Sequence, residues 1–211
     1  MKIEVWSDIV CPWCYLGKRR LETALAEFEH PVEIEWRSFQ LDPTVPKDTA
    51  RPVYEALAEK TGAGPDQVRE MTAHVASLAR AEGLTYDFDN AVMVNTFDAH
   101  RLTHLAKAQG LGPEMHERLM RAQLIEGATV NDVDTLVRLS EEVGVEGARP
   151  VLTGDDYTAD VHADIQEARV LGANGVPFFV LDRRYGISGA QPVEAFRSAL
   201  RTAHEATTTA S

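Results

Sequence analysis

Ile3-Glu4-Val5-Trp6-Ser7-Asp8-Ile9-Val10-Cys11-Pro12-Trp13-Cys14 is the stretch on which the reading of this chain turns. Its two cysteines are the only ones in 211 residues, and they stand three positions apart at the end of a largely apolar segment. That segment reads as a strand. Pro12, whose ring holds φ near the helical value, reads as the first residue of a helix. Cys11 then falls at the helix N-terminus, where unpaired backbone N–H groups and aligned peptide dipoles favour thiolate over thiol. Cys14 lies one turn further in on the same face, where the dipole is weaker and packing excludes water. The spacing therefore predicts a redox pair, with Cys11 as the attacking sulfur and Cys14 as the resolving one. A structural zinc site needs four ligands, and no second Cys-x-x-Cys or Cys/His cluster follows.

Composition narrows the setting. A hydrophobic content of 44% with 26% charged residues is that of a soluble globular chain long enough for one good core. The net charge of -12 opposes nucleic acid and anionic membrane as partners, since no basic tract interleaved with aromatics offsets it. Lys18-Arg19-Arg20 is a short basic cluster, expected on a solvated face of the first helix. Lys18, two turns past Cys11, falls on the cysteine face and is expected to support it. Met1-Lys2-Ile3 enters a strand pattern at once, without a basic leader or an apolar signal core, and no run approaches the roughly 18 apolar residues of a membrane span. The expected location is cytoplasmic.

Outward from the motif, Leu16, Leu21, Leu25 and Phe28 carry the first helix from Pro12 to about Phe28, and His30-Pro31 ends it. Val32, Ile34 and Trp36 alternate with Glu33, Glu35 and Arg37, the period of a strand with one buried face. From about residue 50 to 170 the pattern is 3.6-periodic and predicts five or six helices, broken at Gly62-Ala63-Gly64-Pro65, Glu82-Gly83, Gln109 to Pro113, Glu126-Gly127 and Val143-Gly144. Val68, Met71, Val75 and Leu78 mark one expected inner face, and Phe97, Arg101, Leu102 and Leu105 the next. Asn131-Asp132 and Thr153-Gly154-Asp155-Asp156 supply N-cap chemistry. The run Gly175 to Asp182 predicts a strand buried on both faces, Tyr185 to Ser188 the next strand, and Gln191-Pro192 opens a last helix.

The order β-α-β, a helical block, then β-β-α is that of an α/β thioredoxin fold with an all-helical insertion between its second and third strands. The expected domains are a discontinuous thioredoxin-like unit of residues 1–45 and 170–205, a helical insertion of 46–169 that caps the cysteine turn, and a frayed tail of 206–211.

Five segments together resemble the DsbA-family thiol:disulfide oxidoreductases of the FrnE-like branch. They are Ser7 to Lys18, Phe39-Gln40-Leu41-Asp42-Pro43, Asn95 to Leu102, Gly175-Val176-Pro177-Phe178-Phe179, and Ser188-Gly189-Ala190-Gln191-Pro192. The resemblance runs nearly end to end. It implies that Pro177 is cis and faces the cysteines, and that Val176 offers its backbone to an extended substrate peptide. It also implies dithiol–disulfide exchange with protein or peptide substrates, in which Pro12 and Trp13 tune the potential. No resident cofactor is implied; glutathione is a candidate redox partner. A couple near the about -120 mV of DsbA would lie about 100 mV or more above a cytosolic glutathione poise, more than three decades toward the dithiol. A reductase, isomerase or stress-response role is therefore expected in that compartment.

Two other readings stay open on the sequence. Kappa-class glutathione transferases and 2-hydroxychromene-2-carboxylate isomerases are similar in fold order but carry serine where Cys11 stands and need no second cysteine. A peptide-binding chaperone would use the apolar cap and leave the cysteines incidental. His100 and His104 are spaced for one helix face, yet no third ligand accompanies them, so no metal is expected. Gly172-Ala173-Asn174-Gly175 precedes a strand, unlike phosphate cradles, so neither nucleotide nor flavin is implied.

Overall fold

The computed structural model describes residues 1–208. It opens with β1 (Lys2–Ser7), α1 (Pro12–Leu25) and β2 (Glu33–Ser38). The insertion follows as β3 (Ala50–Pro52), α2 (Val53–Thr61), α3 (Pro65–Ala81), β4 (Val92–Val94), α4 (Phe97–Ala108), α5 (Gly112–Leu124), α6 (Val133–Val143), α7 (Ala148–Thr153) and α8 (Thr158–Val170). The chain then returns to the sheet with β5 (Phe178–Leu181), β6 (Tyr185–Ser188) and α9 (Val193–Thr208).

The main sheet has the order β2-β1-β5-β6. β1 and β2 are parallel, with Val5 beside Trp36, so a crossover must join them, and α1 is that crossover. β5 runs antiparallel to β1 with Phe179 opposite Val5, and β6 reverses again. β1 and β5 are the inner strands, and β1 is buried on both faces. Ile3 and Val5 pack with Leu21 of α1, Phe179, and Phe196 and Leu200 of α9; Trp6 points the other way, to Val180 and Ala168. Each such fully buried side chain contributes about 1.5–3 kcal/mol. The insertion has its own core, including Leu102, Met115, Leu119 and Leu136, and Ile9, Cys11, Cys14 and Tyr15 belong to this core rather than to that of the sheet. The two layers therefore meet at the cysteine turn.

The thioredoxin-type α/β architecture with its insertion after the second strand is the one expected. Four details differ. The middle segment is not wholly helical: β3 and β4 form an antiparallel pair, with Arg51 beside Met93. It holds seven helices rather than five or six, because the six-residue α7 is too short to show a period. The inner face of α3 is Val68, Thr72, Val75 and Ala79, rotated from the expected one, and Met71 is exposed. The first helix stops at Leu25, three residues before Phe28.

Caps divide in the same way. Asp132 caps α6 by accepting from the Thr135 backbone N–H at 2.8 Å, whereas α8 starts after Tyr157, beyond the Thr153–Asp156 segment, without a side-chain cap. α9 continues through Thr208, so residues 206–208 are helical where fraying was expected; 209–211 lie outside the described residues.

Candidate active site

Cys11 is the N-cap of α1, with extended dihedrals (φ -88°, ψ 110°), and Pro12 occupies the first turn. The Cys11 backbone N–H donates to the Asp8 carbonyl at 3.0 Å, and the Cys14 N–H donates to the Cys11 carbonyl at 3.1 Å, which closes the turn that carries both sulfurs. Both thiols are free and buried. Burial is the main reason that the Cys14 thiol lies well above its ordinary pKa, and Cys11 beside it acts in the same direction. The Cys11 sulfur faces the Val176 carbonyl at 3.7 Å, and the Val176–Pro177 peptide is cis. Residues 165 positions apart in the chain thus form one surface around one sulfur.

Gly17 makes this approach possible. A Cβ there would stand 3.0 Å from Pro177 Cγ and 3.2 Å from Phe179 Cζ, tighter than ordinary packing, so a larger residue requires those side chains to give way. Gly17→Ala is expected to cost about 1–3 kcal/mol by overpacking. Urea unfolding checks this, and an unchanged midpoint would show that the contact has slack.

A cavity of about 480 Å³ opens beside Cys11, Pro12 and Trp13. Its walls are mainly apolar and include Val10, Val53, Leu57, Val75 and Phe88. Trp13 (39% exposed), Leu41 (39%) and Met71 (45%) stand at it, three of the four large apolar side chains exposed among the described residues. The Tyr86 hydroxyl donates to the Pro12 carbonyl at 2.6 Å and fixes the turn from the insertion side.

Beneath the turn lies a buried polar layer. Lys18 is buried and pairs with Glu117 at 2.6 Å and with Glu22; Arg19 pairs with the same two carboxylates. Burial opposes ionisation of Glu117, but Lys18, Tyr15 and Arg19 outweigh it and hold the carboxyl below its usual range. Lys18-Arg19-Arg20 is therefore no solvated face: Arg20 also pairs, with Glu82 at 3.0 Å. Asp8 is buried, accepts from the Leu41 N–H at 2.7 Å and meets His100 Nε2 at 3.3 Å. Ser7, Asp8, Tyr86 and His116 went unassigned in the sequence reading. For Ser7 and Asp8 the signal was present, since both stand inside the cysteine motif, but their partners are 109 and 92 positions away, respectively.

His100 and His104 serve different carboxylates. His104 Nε2 lies 3.0 Å from Asp164 and 3.2 Å from the Ser38 hydroxyl, so one nitrogen faces both groups. A Ser-His-Asp relay uses the two different ring nitrogens, and this trio is not one. Among the described residues no group of three or more His, Cys, Asp or Glu side chains is placed to hold a metal ion, and no helix is long and apolar enough to cross a membrane.

A thioredoxin-type sheet, a Cys-x-x-Cys at the start of the first helix and a cis-proline loop against the first sulfur together define the class of thioredoxin-fold proteins with a dithiol site. Residues 2–201 match the DSBA-like thioredoxin domain family, and the chain belongs to that family. It is similar to a probable DsbA oxidoreductase, SCO1869, from Streptomyces coelicolor, at 45% identity and a TM-score of 0.94 over 97% of this chain and 90% of that one. It is 32% identical to a Bacillus subtilis (strain 168) protein named "Uncharacterized protein YwbO", over 69% of this chain and 68% of that protein. It shares its fold with the cytosolic disulfide reductase DsbM from Pseudomonas aeruginosa, solved with GSH, at 23% identity and a TM-score of 0.67 over 96% of this chain and 98% of that one.

Proposed function

We propose that this DsbA-family protein exchanges disulfides with protein or peptide substrates through Cys11 and Cys14, in the cytoplasm and in net exchange with the glutathione pool. The observation that carries this reading is the position of Cys11: at a helix N-terminus, against the Val176 carbonyl, and open to the apolar cavity. Cys11 thiolate attacks a substrate disulfide and forms a mixed disulfide, which Cys14 then displaces to leave reduced substrate and an intramolecular disulfide; the reverse order delivers one. Pro12 and Trp13 lie between the sulfurs and tune the couple, and the Val176-Pro177 loop holds an extended peptide strand-wise. Trp13, Leu41 and Met71 suit an apolar side chain next to the substrate cysteine.

Glutathione is assigned to recharging the couple rather than to residence. It carries two carboxylates, and Lys60, the cationic residue on the cavity wall, already contacts Asp42 at 3.5 Å and the Leu41 carbonyl at 3.4 Å. The test is stopped-flow reaction of the reduced protein with glutathione disulfide and with a disulfide-bridged peptide bearing leucine beside cysteine. Both should yield the intramolecular disulfide, the peptide faster by about tenfold or more, the worth of one buried apolar side chain. Failure of both to produce that disulfide would remove the assignment. Equal rates would remove the apolar preference alone.

A further inference from the structure

Arg20 stands on α1 one turn past Gly17 and on the same side of the helix that Cys11 caps. Its side chain is only 14% exposed, and its guanidinium is divided between two elements outside α1. Nη1 donates to the Ala190 carbonyl at 2.7 Å, and Nε donates to Glu82 Oε1 at 3.0 Å. Ala190 belongs to the turn between β6 and α9, and Glu82 is the C-cap of α3.

Each contact leads to one wall of the site. The Gly189 N–H, next to Ala190 in the same turn, donates to the Pro177 carbonyl at 2.8 Å, so the turn that Arg20 holds is the one that holds the cis-proline loop. Gly189 takes φ 79° to do so, a conformation open to glycine at no steric cost. Pro177 and Ala190 also close on α1 together, since a Cβ at Gly17 would stand 3.0 Å from Pro177 Cγ and 3.5 Å from Ala190 Cα. On the other side, α3 presents Met71, Thr72 and Val75 to the cavity beside Cys11, and Glu82 ties the end of that helix to Arg20.

The geometry points to Arg20 as a positioning residue of the exchange: one guanidinium sets the spacing of the Pro177 loop and of the α3 cavity wall from the helix that carries Cys11. A peptide lying on Val176 can then bring its disulfide to Cys11 and its apolar side chain into the cavity at once. This rests on the peptide exchange proposed above. A planar guanidinium directs its N–H groups along fixed lines, one to each partner, whereas a lysine ammonium is a point charge without that fork. The neighbouring Lys18 and Arg19 turn instead to Glu22 and Glu117 in the layer beneath the cysteines. Arg20 acts through the loop and the wall, so its effect falls on how a peptide is held rather than on the reactivity of the Cys11 sulfur.

The test oxidises the reduced protein with two disulfides: a disulfide-bridged peptide bearing leucine beside cysteine, and hydroxyethyl disulfide, which has no backbone to lie on Val176 and no side chain to fill the cavity. Arg20→Lys should raise the half-saturating peptide concentration by about tenfold, the worth of one hydrogen bond from a charged donor, and change the rate with hydroxyethyl disulfide by less than about twofold. The saturating rate with the peptide should stay near that of the parent. Glu82→Ala frees Nε and leaves the Ala190 contact, so it should raise the same concentration by about two- to fivefold, the range of a partly exposed ion pair, and it serves if Arg20→Lys folds poorly. Glu82→Gln still offers an oxygen to Nε and should bring the value back toward the parent. Parent-like peptide saturation in Arg20→Lys or in Glu82→Ala would overturn the assignment of Arg20. An equal fall with both oxidants would overturn it as well, because Arg20 would then support the fold as a whole. A parent that neither oxidant converts to the intramolecular disulfide would overturn it together with the proposed function.

Discussion

Cys11→Ser is expected to abolish disulfide exchange, with a loss on the order of a thousandfold or more, the scale on which removal of a nucleophile acts. Cys14→Ser should behave differently: it should still attack a substrate disulfide and then stop, so that a mixed disulfide accumulates in stoichiometric amount. The asymmetry comes from placement. Cys11 caps α1 and faces the cavity, whereas Cys14 is fully buried one turn behind it, and its thiol is held protonated mainly by burial. Non-reducing electrophoresis and intact mass after reaction with a disulfide-bridged peptide read the outcome directly. Equal trapping by the two variants, or trapping by Cys11→Ser alone, would reverse the roles. Isomerisation of a hydroxychromene carboxylate that survives alkylation of both sulfurs would move the chain to the glutathione-dependent isomerase reading. Client protection by Cys11→Ser, Cys14→Ser equal to that of a parent without thiol turnover would move it to the chaperone reading.

What could be read in advance follows from the range of each interaction. β1, α1 and β2 were legible because alternation, Pro12 and the cysteine spacing are local, and β5 because its apolar run is unbroken. β3 and β4 were not, since three residues cannot establish a period. The rotation of α3 was hidden because Met71 and Leu78 are as apolar as the residues that face inward; only the cavity beside Trp13 explains an exposed methionine at that position. The polar layer was least legible of all. Nothing near Lys18 announces Glu117, and nothing near Ser7 announces His116, because both contacts depend on how α5 docks against the sheet layer. Val176 and Pro177 were reached through family resemblance, since no local rule brings that loop to Cys11.

Asp164→Ala is expected to remove about 3–5 kcal/mol of stability, the usual result of deleting one member of a buried ion cluster and leaving its partners unpaired. Asp164 stands on α8 and ties the insertion to the sheet at three points: Arg37 Nη1 at 2.9 Å, the Ser38 backbone N–H at 2.8 Å, and Trp6 Nε1, which donates to its carbonyl at 2.8 Å. Its carboxylate, which makes the Arg37 and Ser38 contacts, also meets His104 Nε2 of α4 at 3.0 Å. Alanine keeps the Trp6 contact, made by the carbonyl, and loses the other three. It would leave Arg37 with Glu4 at 2.7 Å, which also pairs with Arg183, and with Glu35 at 3.3 Å and Glu167 at 4.0 Å. At about 2–4 °C per kcal/mol for a chain of this size, the fall in Tm would be on the order of 10 °C. The pH dependence has a definite sign. Burial opposes ionisation of Asp164, but His104, the Ser38 N–H and Arg37 together prevail and hold its pKa below the ordinary value. A carboxyl with a lowered native pKa contributes stability that is fully present above the unfolded value, about 3.9, and is lost as the pH falls through the native one. The stability gap between the parent and Asp164→Asn, measured by urea unfolding across a pH series, should therefore be constant near neutrality and narrow below about pH 4. A gap that stays constant into acid would mean that the carboxylate charge contributes nothing beyond what the asparagine amide supplies by hydrogen bonding.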